Sequence, residues 1–488
     1  MNEVQGIMQA QPALPRLTGP ALAAAYLLTA FLPLALALTQ SVARADSWEL
    51  AAAAMGLIAL WGMAVQFVTS GRFEAVSGRL GIDKIMAFHK IAALWVALAL
   101  ILHPLAYVLP TWMDDPELGW IRLHFYLTDP AYRSGVVALG ALVVLILSSL
   151  LRDVLPWPYE AWRGVHLLLG LVAVLGGLHH AVAVGRFSAQ GVLAGFWGLV
   201  ALGVLVVMAT LYGWRWWRLH HRPWRLASVT KRADRMWELD IQPDPGTPPL
   251  PYHAGQFVWM TEGKRRFPLF DHPFSISDSP QRPGLSLLIK EAGDFTNQIG
   301  TLPEGRMIGI DGPYGEFTFE AQGGEALLLI GGGVGIAPLL GILRDCIARG
   351  ETRPVRLAYA VGQPENFACL DEIRAAMQAL DLKLWLLSED EPTADDMLQG
   401  RLTRERLAEM LDGLDPATVR ALICGPGPMV VSVSDTLLDL GMPMLNVVYE
   451  RFDYAGSARS RQDRARTRNI LSVGAALALG VAAFVGVG

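Results

Sequence analysis

Residues 85–109 read IMAFHKIAALWVALALILHPLAYVL, and residues 162–184 read WRGVHLLLGLVAVLGGLHHAVAV. Each run is long and apolar enough to cross a bilayer as one helix. Each carries histidines near both ends: His89 and His103 in the first, His166 and either His179 or His180 in the second. Fourteen residues of helix rise about 20 Å and complete nearly four turns, so the two histidines of a run share a face at two depths. Ionisable residues within a membrane are rare and usually functional. Two matched pairs on facing helices predict two bis-histidine sites stacked across the bilayer. Iron porphyrin suits them, because imidazole is a common axial ligand. The expectation is two b-type haems. Helical phase favours His180 for the outer ligand, since 14 residues return closer to the starting face than 13 do.

Working outward from these runs, further apolar stretches fall at 20–41, 49–70, 134–151 and 191–213, which predicts six spans. Arginines and lysines collect between spans two and three (Arg72, Arg79, Lys84), between four and five (Arg152, Arg163) and after six (Arg215, Arg218, Arg222, Arg225). These are expected on the cytoplasmic side. The connection 111–133 carries Asp114, Asp115, Glu117 and Asp129 and falls outside, with Trp112, Trp120 and Tyr126 at its interface. His89 and His166 are then the inner pair, and His103 and His179 or His180 the outer one. His220 and His221 sit among Trp216, Trp217 and Arg218, an interfacial belt rather than a metal site. Arg122 and His124 are the cations of the outer connection.

Composition agrees with a membrane protein. Of 488 residues, 52% are hydrophobic and 17% charged, and the net charge of −5 gives no reason to expect a nucleic-acid partner. Cys346, Cys369 and Cys424 form no CxxC or CxxCH, which excludes a plant-type iron–sulfur cluster and covalent haem. The first twenty residues lack a basic n-region and a cleavage site, so no cleaved signal peptide is expected.

After Arg222 the pattern changes. WRLASVT, FVWM, LSLLIK and MIGIDG are short apolar runs separated by Gly and Pro, which predicts an antiparallel barrel over 222–322. From 323 to 455 strands alternate with helices, which predicts an α/β domain with a parallel sheet. Arg459–Arg468 is basic, and Ile470–Val487 is apolar and rich in small residues. This predicts a seventh span within a segment 456–488, after a tail of residues 1–19 and a six-span bundle over 20–213.

Three motifs in this half carry chemistry. In His272-Pro273-Phe274-Ser275-Ile276-Ser277, an aromatic flanked by hydroxyls suits the face and edge of a flavin. Ile289-Lys290 followed by Gly293-Asp294-Phe295-Thr296 suits a pyrophosphate at helix-start amides, or a plain N-cap. Gly331-Gly332-Gly333-Val334-Gly335-Ile336-Ala337-Pro338 follows a strand and opens a helix, the setting of a dinucleotide-cradling loop. Cys424-Gly425-Pro426 closes a later strand.

Together these residues resemble the ferric reductase and NADPH oxidase superfamily of transmembrane flavocytochromes, over roughly residues 20–455. The histidine pairs match its haem ligands. Its 13-residue spacing on the second helix points to His179, so both candidates stand. His272–Ser275 is similar to its flavin motif, Gly312-Pro313-Tyr314-Gly315 to its barrel-end motif, and Cys424-Gly425-Pro426 to its nicotinamide motif. Glu450-x-Phe452 resembles the terminal segment whose aromatic covers the flavin.

The resemblance implies a ferredoxin-reductase-like module that binds FAD and NAD(P)H, in a bacterial inner-membrane protein with that module in the cytoplasm. Electrons would pass from NAD(P)H through FAD and two haems to an outer acceptor: ferric chelate, dioxygen, or a periplasmic protein or quinone. Cys424, Ser275 and Phe452 are the residues it places at hydride transfer. Gly362 stands where relatives that use NADPH often carry arginine, so NADH and NADPH both remain open. A channel or scaffold with a decayed reductase half is the rival class. The intact glycine loop and flavin motif argue against it, and a colourless purified protein would favour it.

Overall fold

The structure is a computed structural model that describes residues 19–40, 46–70, 82–263, 266–319, 324–452 and 459–487. Arg72 and Arg79, two of the orienting basic residues, lie outside the described residues. So do residues 1–18, the expected ends of the barrel and α/β domain at Gln322 and Ala455, and linker residues 456–458. The chain divides into two units, residues 1–207 with 469–488, and residues 208–468.

The first unit is helical. Its helices are α1 (Gly19–Leu38), α2 (Ser47–Val65), α3 (Ile82–Asp114), α4 (Pro116–Thr128), α5 (Arg133–Leu150), α6 (Tyr159–Val184) and α7 (Gly191–Met208). A π-helical turn, Ala209–Trp214, and α8 (Arg215–His221) continue α7 into the second unit. The long helices are apolar on all sides, as a lipid solvent allows. Among the described residues seven helices are long and apolar enough to cross a membrane, and the seventh is the C-terminal Arg461–Val487. Within the bundle this last helix packs closely: a Cβ added at Gly474 would lie 2.7 Å from the Trp95 ring of α3. Its small residues therefore serve close helix packing.

The connection after α3 is largely helical, formed by α4. Asp115 caps α4 by accepting from the amides of Glu117 and Leu118, and Pro116 occupies the first turn. His220 and His221 of α8 each bond a carbonyl of their own helix, at 2.8 and 2.9 Å, and His221 stacks on Trp217. No group of three or more metal-ligating side chains occurs among the described residues.

The second unit holds two sheets. The first is an antiparallel barrel of β1 (Trp224–Ala233), β2 (Met236–Pro243), β3 (Phe257–Glu262), β4 (His272–Ser275), β5 (Leu285–Lys290) and β6 (Met307–Tyr314), in the order β4-β3-β6-β1-β2-β5. A bridge between Ile276 and Leu287 joins its two ends. Asp311, 2% exposed, ties the barrel to α8: Arg218 donates to it, Arg215 lies 3.4 Å away, and the Tyr314 hydroxyl donates at 2.9 Å.

The second sheet is all parallel. Its strands are β7 (Ala326–Gly332), β8 (Val355–Val361), β9 (Leu382–Ser388), β10 (Met397–Gln399), β11 (Val419–Gly425) and β12 (Val447–Arg451), in the order β10-β9-β8-β7-β11-β12. The helices α9 (Ile336–Arg349), α10 (Leu370–Ala376), α11 (Arg404–Met410) and α12 (Gly427–Asp439) alternate with them. The last helix is α13 (Arg461–Val487). Strands β2 and β10 were not evident in the sequence. Arg344 of α9 joins this domain to the barrel. It donates to Glu238 of β2 and to the Ser277 carbonyl, at 2.7 and 2.6 Å, and to Glu372 at 2.6 Å. Burial opposes the charge on Glu238, but Arg344 and Arg232 outweigh it and hold the carboxyl below its ordinary range.

Candidate functional site

The helical unit brings the predicted histidines together in pairs. His166 lies close enough to His89, and His180 to His103, for the rings to interact electrostatically. The Nδ1 of His103 bonds the Ala52 carbonyl at 2.7 Å, so this nitrogen carries the proton and Nε2 keeps its lone pair. Ser149 gives its hydroxyl proton to the Leu145 carbonyl at 2.7 Å, and so accepts from His166 Nδ1 at 3.1 Å. That bond fixes the same tautomer. The Nδ1 atoms of His89 and His180 are buried and make no hydrogen bond among the described residues.

Glycines make room for the outer rings. A Cβ at Gly56 would lie 2.9 Å from the His103 ring, and one at Gly135 would lie 2.6 Å from the His180 ring. His179 points elsewhere: it is exposed and bonds Ser134 at 2.9 Å. Paired imidazoles at two levels, one of each pair with its Nδ1 backed by a hydrogen bond, fit iron porphyrin, with His180 rather than His179 facing His103.

In the connection after α3, Arg122 donates to Thr111 at 2.7 Å and lies over the Tyr126 ring, whereas His124 is exposed. Arg186, which sequence reasoning passed over, forms a 2.9 Å ion pair with Glu49. The signal for it was a lone arginine just after span five.

In the barrel, β4 sets the flavin motif along an edge. Pro273 is exposed, His272 and Phe274 are half-buried, and Ser275, Ile276 and Ser277 are buried. His272 stacks on Phe295 with centroids 4.1 Å apart and planes 7° from parallel, which joins the first two motifs. Phe274 lies 6.2 Å from the same ring. Thr296 turns its hydroxyl back to the amides of Ala292 and Gly293, at 2.8 and 2.9 Å, so it acts as the loop's own cap. Gly293 faces open space. Ile289 is buried and Lys290 exposed at the end of β5.

The third motif lies where the parallel sheet reverses its strand order, between β7 and β11. Ligands of such sheets bind in the crevice at this switch point, beyond the carboxyl ends of the strands. Cys424 pairs in register with Gly331. Gly333 has φ +55° and open space around it, and Pro338 lies in the first turn of α9 beyond it. At Gly335 a side chain would overlap the Cys424 carbonyl, so only glycine lets the two segments meet. Gly332, Gly425 and Pro426 line the same contact. The Cys424 side chain is fully buried. Glu450 approaches the barrel end, 3.5 Å from a Cβ placed on Gly315, and Phe452 is 47% exposed.

Comparison with known proteins follows the same division. The chain matches the ferric reductase like transmembrane component over residues 55–177, an FAD-binding domain over 224–318 and the oxidoreductase NAD-binding domain over 329–435. It is 23% identical to the flavohemoprotein of Bacillus subtilis over 251 residues, 49% of this chain and 60% of that protein. It is 32% identical to the gamma subunit of sulfhydrogenase 2 from Pyrococcus furiosus over 202 residues, 39% of this chain and 68% of that subunit. The solved FAD/NAD-binding domain of nitric oxide dioxygenase from Vibrio cholerae is 20% identical, with a TM-score of 0.43, over 47% of this chain and 98% of that one. The chain thus spans about 60% of the first flavohemoprotein's length. With a ferric-reductase-like transmembrane component joined to FAD- and NAD-binding domains in one polypeptide, the chain has the ferric reductase and NADPH oxidase type of architecture.

Proposed function

We propose that this protein moves electrons from cytosolic NADH or NADPH across a bacterial inner membrane to an acceptor on the outer side, ferric chelate or dioxygen. The observation that carries the reading is the pair of histidine couples, His89 with His166 and His103 with His180, in the same chain as the flavin and nicotinamide domains. FAD and two b-type haems, when bound, supply the conversion of a two-electron donor into one-electron output. The chain supplies binding and orientation. Gly331–Pro338 and Cys424–Pro426 take the dinucleotide. Phe274 lies along the flavin ring, Ser275 bonds its edge, and His272, Ile289, Lys290, Gly293, Phe295 and Thr296 border it. Ser277 supports the motif from within the barrel. Phe452 would cover the bound flavin and yield its place to nicotinamide, while Glu450 would stay at Gly315. The two histidine couples hold one haem each.

A second reading is an electron-transfer subunit that serves a periplasmic protein or a quinone. The exposed Trp120, Ile121, Phe125 and Leu127 of α4 favour it, since they offer an apolar surface on the outer side. It predicts slow turnover with small acceptors.

The test is anaerobic addition of NADH, then NADPH, to the purified protein in detergent, followed by its visible spectrum. Reduced b-type bands forming fast enough for turnover are the expected result, and they also identify the preferred nucleotide. Flavin bleaching without those bands would break the reading at the membrane step. Admission of oxygen or ferric chelate then discriminates the acceptors.

A further inference from the structure

The chain does not end at Phe452. Beyond it, α13 begins with a turn that grips β12. Ser460 and Asp463 form a reciprocal cap: the Asp463 amide donates to Ser460 Oγ at 3.1 Å, and the Ser460 amide donates to Asp463 Oδ2 at 3.0 Å. Two side chains of β12 complete it. The Tyr449 hydroxyl donates to Asp463 Oδ1 at 2.8 Å, and Arg451 donates to Oδ2 at 2.5 Å. The Tyr449 proton is committed to the carboxylate, so Ser460 donates in turn to the Tyr449 oxygen at 2.8 Å. Gln462 bonds the carbonyls of Met444 and Val447, at 3.0 and 3.1 Å, where β12 begins. Ser460 is fully buried and Gln462 is 6% exposed.

A strand alternates its side chains between two faces. Tyr449 and Arg451 therefore turn to the helix and Glu450 to the opposite face, where it approaches Gly315 of the barrel end, and Phe452 directly follows the last residue of the strand. Ser460, Gln462 and Asp463 at the start of the helix thus fix the strand that leads directly into the aromatic.

We propose that the first turn of α13 is a positioning device for the flavin face, in which Asp463, acting through Tyr449 and Arg451, holds β12 so that Phe452 stays seated. This rests on the reading of Phe452 as the cover of the flavin. The C-terminal segment is then more than an anchor. It restrains a cover that nicotinamide must displace, and the restraint lowers the fraction of enzyme competent to bind.

The test uses the full-length protein in detergent. The KM and kcat for NADH, or for NADPH if that is the donor, are measured for the parent, Asp463→Ala, Phe452→Ala and the double variant, with flavin reduction followed by stopped flow. Apparent affinity scales with the competent fraction, so Asp463→Ala is expected to lower KM about tenfold with little change in kcat. Phe452→Ala is expected to lower KM likewise, and the double variant to lower it no further. If Phe452→Ala lowers KM and Asp463→Ala does not, or if their effects multiply, the positioning role is overturned while the cover stands. If Phe452→Ala itself leaves KM unchanged, the cover reading falls and takes the device with it. Should Asp463→Ala lose FAD, Tyr449→Phe replaces it. That change keeps the ring and removes only the hydroxyl, and the expected fall in KM is about threefold.

Discussion

The helical bundle and the parallel sheet solve a similar packing problem in opposite ways. At the outer histidine couple, Gly56 and Gly135 give way so that side chains can approach. At the switch point, Gly335 gives way so that two stretches of backbone can meet. In the bundle, function is written in the type of side chain, repeated at the helical period. In the sheet, it is written in what the main chain is free to do. The first kind of site should tolerate changes that leave the imidazole in place. The second should be broken by a single methyl group.

Four experiments bear on that contrast. The largest effect is expected from His180→Ala set against His179→Ala. Loss of His180 should remove the outer haem, halving the b-type absorbance in a pyridine haemochrome assay and abolishing transfer to outside acceptors. His179→Ala should keep both haems. The reverse pattern would reassign the ligand and undo the bundle half of the comparison.

Next is Gly335→Ala. Its Cβ would overlap the Cys424 carbonyl, and displacing the loop by about 1 Å should slow flavin reduction by NAD(P)H about 10²-fold while FAD stays bound. Normal hydride transfer in this variant would mean that close approach of backbone is not required.

Gly135→Ala should act more mildly. The His180 ring can shift, so outer-site haem affinity should fall about tenfold, read by haem retention on dilution. Gly140→Ala, with nothing within 4 Å, is the control.

The smallest effect on electron transfer is expected from Glu238→Gln. The partners hold the Glu238 carboxyl below its ordinary range, so its stabilising effect is present at neutral pH and is lost as pH falls through the lowered pKa. Removing it should leave Arg344 paired with the more exposed Glu372 alone and cost about 2 kcal/mol at pH 7. Thermal release of flavin fluorescence measures this, and the gap between the variants should close in acid. A constant gap would assign the effect to packing.

Much of this molecule could be read before its structure. The seven long helices follow from hydropathy alone, and the glycine loop from its place between a strand and a helix. What escaped has physical causes. Strand β2 carries Glu238 and Asp240, polar residues that normally mark a loop, but Glu238 is buried because Arg232 and Arg344 neutralise it from elsewhere in the fold. Helix α4 was hidden by the acids at its start, although Asp115-Pro116-Glu117 is a helix-start signature. His179 and His180 differ by 100° of helical rotation, and spacing alone left two answers. The neighbours Gly135 and Ser134, remote in sequence, separate them.

The position of α13 in the chain also bears on how the protein comes apart. Apolar helices precede and follow the barrel and nucleotide domain in the chain, so two membrane-spanning helices would tether the catalytic unit, one at each end. A single proteolytic cut before Trp224 would not release it, and a cut before Arg461 alone would leave it attached through α8. Shedding the soluble half requires two cleavages. A denatured catalytic unit also stays confined between two membrane-held ends, with less chain entropy to gain from unfolding than a domain with one free end.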